Sequence, residues 1–186
     1  MTALPDIPRL YTALAECLAV LLFTPALAPR FSKAVTVGVT LLWAAVLSAF
    51  LALTGDVPGG LWIPCMAAAI GFSYLYLWGV WNITLLEAGY HCARAFILAE
   101  LAASVEWQLH CALWPARSAW GALSLLLLAL VYGALFGGMC YWLHISPQPA
   151  GHLQISGSAA LTAVMLALAA FAVSNLGFLP GSDINM

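Results

Sequence analysis

The residues with most capacity for chemistry lie in one stretch of this sequence. Between Trp81 and Leu113 stand Glu87, His91, Arg94, Glu100, Glu106 and His110, six of the sixteen Asp, Glu, Lys, Arg and His residues in the chain. The stretch has no proline and is rich in Ala and Leu, so it should be helical. On a helix Glu87 and His91 are i,i+4 neighbours, as are Glu106 and His110, and Arg94 shares the face of the first pair. Glu100 falls on another side, with no base beside it. Acids and bases at this spacing suit a polar pocket or proton relay that recognises a ligand or switches. They equally suit internal pairing that fixes helix register, and both readings stay open on the residues alone.

Catalysis has little support from the same set. His91-Cys92 and His110-Cys111 are sequence neighbours, so their side chains diverge on a helix and form no dyad. The chain has no HExxH, GxSxG or Walker loop. His91, His110, His144 and His152 read as interfacial or paired histidines. No catalytic residue, metal ligand or cofactor site is expected. Cys17, Cys65, Cys92, Cys111 and Cys140 are scattered, with no CxxC pair, and read as small apolar residues rather than a disulfide framework or zinc site.

Composition supplies the medium for these groups. The chain of 186 residues is 65% hydrophobic and 6% charged, with a mean hydropathy of +1.02. A soluble domain carries about 25% charged residues, so hydrocarbon must be the main solvent here. The fold class is therefore all-α, a polytopic transmembrane helix bundle forming one integral membrane domain over 1–186. A net charge of −2 argues against a nucleic-acid partner; the partner that composition names is the lipid bilayer. The length accommodates about six spans of roughly 20 residues. Apolar runs place them at 10–27, 34–53, 61–81, 89–113, 119–143 and 159–179.

The first run reads as a retained helix and not a cleaved signal, because no basic cluster precedes it and Pro29 would follow the cut. Phe72, Tyr74, Tyr76, Trp78 and Trp81 crowd the end of the third, where aromatic side chains favour the headgroup level. Trp114-Pro115 ends the fourth. Gly133 and Gly137 give the fifth a small-xxx-small spacing that permits close helix contact. Arg30 and Lys33 make the densest basic loop and should face the cytoplasm. That leaves the N-terminus, Asp56, Arg117 and the C-terminus outside, with Arg117 against the rule.

An unpaired charge at the bilayer centre costs about 2.5 kcal/mol or more, so the polar helix needs neighbours. Glu16 lies inside the first span, and an Arg94–Glu16 bridge between the first and fourth helices is the electrostatically sensible pairing. Glu100 needs a partner from another helix; Glu16 would serve only as half of a carboxylate pair sharing a proton. Ser174 and Asn175 either line the same cavity or cap the last helix.

Two blocks resemble a known family. Ile7-Pro8-Arg9 with Tyr11-Thr12-Ala13-Leu14-Ala15-Glu16 is one, and the other is Tyr90-His91-Cys92-Ala93-Arg94-Ala95-Phe96 continuing through Ala99-Glu100-Leu101-Ala102-Ala103-Ser104-Val105-Glu106-Trp107-Gln108-Leu109. They look like the polytopic N-terminal sensor region of GHKL-type histidine kinases of Gram-positive gut bacteria. Val173-Ser174-Asn175-Leu176 and the Asp183-Ile184 tail are similar to the stretch before that family's last transmembrane helix.

The resemblance implies a multi-pass input module in the bacterial cell membrane. It would pass a small-molecule or peptide signal to a cytoplasmic dimerisation helix, a phospho-accepting histidine and an ATP-binding lobe. The chain contains none of those three, so the expectation is a sensor domain without kinase activity, working through a homodimer partner or a separate kinase. It would be either a truncated gene product or a standalone protein. Glu16, Arg94, Glu100 and Glu106 lie on the matching blocks and are carried over as the signal-coupling core, with Glu87, His91, His110 and Asn175 secondary. A small transporter, or a substrate-binding transporter subunit with a polar intramembrane pocket, fits six compact spans as well. A plain scaffold held by its glycine contacts is the third reading.

Overall fold

The computed structural model describes residues 8–55, 59–113, 121–145 and 155–175, with the backbone alone at 59, 60, 62 and 172–175. The elements among them are six helices: α1 (Arg9–Phe23), α2 (Lys33–Leu53), α3 (Gly59–Val80), α4 (Leu85–Leu113), α5 (Ala122–Ile145) and α6 (Gly157–Asn175), with a 3-10 turn at Thr24–Ala26. The expected all-α bundle is present. Asp56, Trp114-Pro115, Arg117, His152 and the 176–186 tail lie outside the described residues.

Local hydrogen bonds set the helix ends. The Thr24 hydroxyl donates to the Leu21 carbonyl at 2.8 Å, and Pro25 follows, so α1 cannot continue. Thr54 closes α2 in the same way, donating to the Phe50 carbonyl at 2.8 Å. The α1–α2 and α3–α4 connectors then hold each other. Arg30 N–H donates to the Val80 carbonyl at 2.9 Å and Asn82 N–H to the Ala28 carbonyl at 2.8 Å. The Arg30 side chain adds Nε to the Trp81 carbonyl at 2.7 Å and Nη2 to the Ile83 carbonyl at 3.3 Å. One end of the bundle is thereby clamped.

Helix α4 is the spine. It packs most heavily on α1 and α6, then on α3 and α5, while α2 leans on α3 and α1. Small side chains make this possible: Ala13, Ala15 and Ala19 of α1, Ala88, Ala95, Ala99 and Ala102 of α4, and Ala160, Ala163 and Ala167 of α6 are all buried. Backbones approach closely where no bulk intervenes, which is how membrane helices gain van der Waals contact. Gly133 and Gly137 do not take that role. Both are exposed, and a Cβ on either would meet nothing within 4 Å. The close-contact work expected of the glycines is done by alanines.

The outward faces are apolar. Leu41 is 67% exposed and Leu53 84%, and Leu123 and Leu161 are each 63% exposed. Water does not tolerate such a surface and hydrocarbon does, so this is a membrane protein. Among the described residues four stretches are long and apolar enough to cross a bilayer: Arg9–Ala26, Lys33–Leu53, Ile63–Val80 and Ala122–Ile145. Helix α4 has 29 residues, about 43 Å, but its polar content keeps it out of that group; α6 contributes a shorter apolar helix over Gly157–Phe171. The six described helices are thus four long apolar ones, the polar α4 and the shorter α6. The aromatic cluster also divides. Trp78 and Phe72 face outward, whereas Tyr76 and Trp81 are buried, and Tyr76 stacks on Trp43 with centroids 4.4 Å apart.

Candidate functional site

At the clamped end of α4, Glu87 does local work. Its Oε2 accepts the Thr84 N–H at 2.7 Å, and its own N–H donates to the Thr84 hydroxyl at 3.2 Å. This reciprocal capping box satisfies two of the free amides of the first turn. Glu87 is thus a helix cap, not a pocket acid, although it stays within electrostatic reach of His91. His91 is 4% exposed, with its ring beside Phe23 at 6.3 Å and Tyr90 at 5.7 Å, and its Nδ1 has no hydrogen-bond partner.

Arg94 is half-buried and lies over the same rings. Its Cζ is 4.5 Å from the Phe23 centroid and 5.3 Å from Tyr90, a cation–π arrangement worth about 0.5–2 kcal/mol. Among the described residues it forms no ion pair, so the expected Arg94–Glu16 bridge is not made. Helix register is the reason. Helices α1 and α4 run antiparallel, with Phe23 level with His91 and Arg94, and Glu16 lies about 10 Å further along α1.

Across that seam Glu16 lies within electrostatic reach of Glu100. Glu16 is 5% exposed, and among the described residues its Oε1 has no hydrogen-bond partner. Glu100 is half-buried and has Arg9, at the start of α1, within electrostatic reach. Glu100 thus has one acid, Glu16, and one cation, Arg9, of the first helix within electrostatic reach. Sequence reasoning passed over Arg9 because it stands at the helix start, where a side chain usually faces solvent. A cavity of about 10 Å³ opens beside Glu16 between α1, α3 and α4, lined also by Val20, Ile70, Ser73, Cys92 and Phe96. The Ser73 hydroxyl is a second buried group there without a partner. The space holds about one water and no organic solute.

Glu106 and His110 lie further along α4. Glu106 is 0% exposed; its Oε1 is 3.9 Å from His110 Nδ1, yet neither oxygen is hydrogen-bonded. Ser124 of α5 reaches the same Nδ1 at 3.2 Å, and Trp107 stacks on the imidazole at 5.0 Å. Acid, histidine and serine in contact invite comparison with a hydrolase triad. The geometry refuses it, because a relay needs acid and hydroxyl on opposite ring nitrogens, and here both approach Nδ1. Ser124 went unread in the sequence for want of any local signal; only packing of α5 on α4 reveals it.

The remaining sequence candidates are quickly placed. Asn175 is in the last turn of α6, with its side chain outside the described residues. His144 is exposed at the end of α5. All five cysteines are free; Cys17 and Cys92 are buried, Cys65 and Cys111 half-buried and Cys140 exposed. The Cys92 thiol donates to the Ile70 carbonyl at 3.7 Å. Among the described residues no three His, Cys, Asp or Glu side chains group as a metal site.

The fold and these contacts define a class: a helical-bundle membrane protein whose ionisable groups are gathered along one interior helix. Compared with known proteins, the chain matches no protein-family model, no curated protein and no solved structure.

Proposed function

We propose that this chain is a membrane-embedded signal-input module of the kind found in GHKL-type sensor histidine kinases, with no chemistry of its own. The observation that supports this reading is the alanine-lined α1/α4 seam, where buried Glu16, one oxygen of which has no hydrogen-bond partner among the described residues, lies within electrostatic reach of Glu100. Two neighbouring acids in a low-dielectric interior cannot both be charged cheaply, and in this reading the seam has two arrangements of similar energy. A signal that binds those arrangements unequally shifts their populations, and the helices move with them. In this reading α4 also crosses the bilayer, six passes place the Arg30–Lys33 loop in the cytoplasm of a bacterial cell, and output goes to a homodimer partner or a separate kinase.

The test is a chimera in which one further span joins this chain to a GHKL kinase body, assayed for autophosphorylation in nanodiscs. Glu16→Gln and Glu100→Gln should each shift the basal output about tenfold, a coupling of the usual allosteric size. Glu87→Gln, at the cap, should change folding yield and leave output per folded molecule alone. Equal output from all three variants would sink the sensor reading. Solute uptake by the purified chain in liposomes would replace it with the transporter.

A further inference from the structure

We infer that the groove between α2 and α3 seats an acyl chain of one anionic phospholipid, whose phosphate rests on Arg30 and Lys33. The groove has a volume of about 430 Å³ and is walled by Phe31, Val39, Trp43, Val46, Phe72 and Gly79, among others. Its walls are almost wholly apolar. Tyr76 stacks on Trp43 at 4.4 Å, and the Tyr76 hydroxyl is already paired with Thr40 at 2.8 Å. From Phe31 to Val46 the groove follows α2 for about 20 Å, against about 15 Å for the hydrocarbon of one leaflet. An extended acyl chain matches that shape and surface.

The charge at one end selects the headgroup. Arg30 and Lys33 flank Phe31, where the groove begins, and both are exposed. Among the described residues the Arg30 guanidinium donates only to the neutral carbonyls of Trp81 and Ile83, and it lies 6.0 Å from the Trp78 ring. Among the described residues neither cation is ion-paired with an acid. Two uncompensated positive charges at the mouth of an apolar groove fit a phosphodiester without a balancing cationic headgroup. Phosphatidylglycerol meets that description and phosphatidylcholine does not. The inference does not depend on the sensor reading.

The experiment is native mass spectrometry of the full chain released from mixed micelles containing phosphatidylglycerol and phosphatidylcholine with the same acyl chains. Each basic residue near a membrane surface contributes roughly fivefold to anionic-lipid binding. Wild type should therefore favour phosphatidylglycerol about 25-fold, Lys33→Gln should leave about a fivefold preference, and Arg30→Gln with Lys33→Gln should leave none. Gly79→Leu fills the groove from a position where a Cβ meets nothing within 4 Å, so it should fold normally and lose bound lipid of both kinds at least tenfold. Arg30 also ties the connectors, so the Lys33 and Gly79 variants decide the matter if the double variant fails to fold. Equal binding of the two lipids by wild type would overturn the inference, as would undiminished binding in Gly79→Leu. A dimer that Gly79→Leu abolishes would assign the groove to a second copy and overturn it too.

Discussion

Glu87 and Glu106 are both buried acids of α4, yet their removal should have opposite effects. Glu87 is bonded reciprocally to Thr84, and losing a cap of this kind costs about 1 kcal/mol. Thr84→Ala and Glu87→Ala should each lower the thermal midpoint in detergent, and the double variant should fall little further, because either change breaks the same box. Glu106 is fully buried and, among the described residues, neither oxygen is hydrogen-bonded and the nearest base, His110, is 3.9 Å away. A buried polar group without partners costs about 1–3 kcal/mol. Glu106→Met, which keeps the bulk and discards the oxygens, should therefore raise the midpoint; a lowered one would show that Glu106 has a stabilising partner. These two acids also mark what the chain disclosed at this scale. Thr-x-x-Glu spells a capping box on paper, whereas a helical wheel merely groups Glu87 with His91. Nothing within α4 announces Ser124, which reaches His110 from α5.

The seam between α1 and α4 rests on alanine, which makes it sensitive to added volume. Ala15, Ala95, Ala99 and Ala102 are at most 2% exposed, and inserting methylenes into such a contact typically costs 1–3 kcal/mol. Ala99→Leu should separate the helices and lower the midpoint by several degrees. Gly133→Ala with Gly137→Ala should do the reverse, since added methyls there meet nothing and alanine is favoured over glycine in a helix by about 1 kcal/mol. A loss of stability in the glycine pair would instead mark that face as a seam between two copies. Helix existence was legible in the apolar runs because hydrocarbon imposes length and composition on every span. Helix register was not. It depends on which small residues nest together across elements far apart in sequence, and so Glu16 lies within electrostatic reach of Glu100 where charge complementarity alone would have chosen Arg94.

At the scale of the whole molecule, the charged side chains among the described residues are sorted by end. Arg30, Lys33 and Arg94 belong to the end where the connectors clamp, together with the capping Glu87; Arg9, Glu16, Glu100 and Glu106 belong to the other half of the α1/α4 pair. Cytoplasmic loops collect Lys and Arg because basic residues resist translocation, so this sorting predicts orientation and can be tested without knowing any ligand. Lys33 is exposed at the first turn of α2 and tolerates a reporter. In a background where Cys65, Cys111 and Cys140 are replaced by alanine, the remaining thiols of Cys17 and Cys92 are buried and stay silent to an impermeant maleimide. Lys33→Cys should then label only after the cells are permeabilised. Adding Arg30→Glu removes the remaining cation of the loop and should let a fraction insert the other way round, visible as labelling of intact cells. Full labelling of Lys33→Cys in intact cells would put the clamped end outside, and with it the groove mouth would face the outer leaflet.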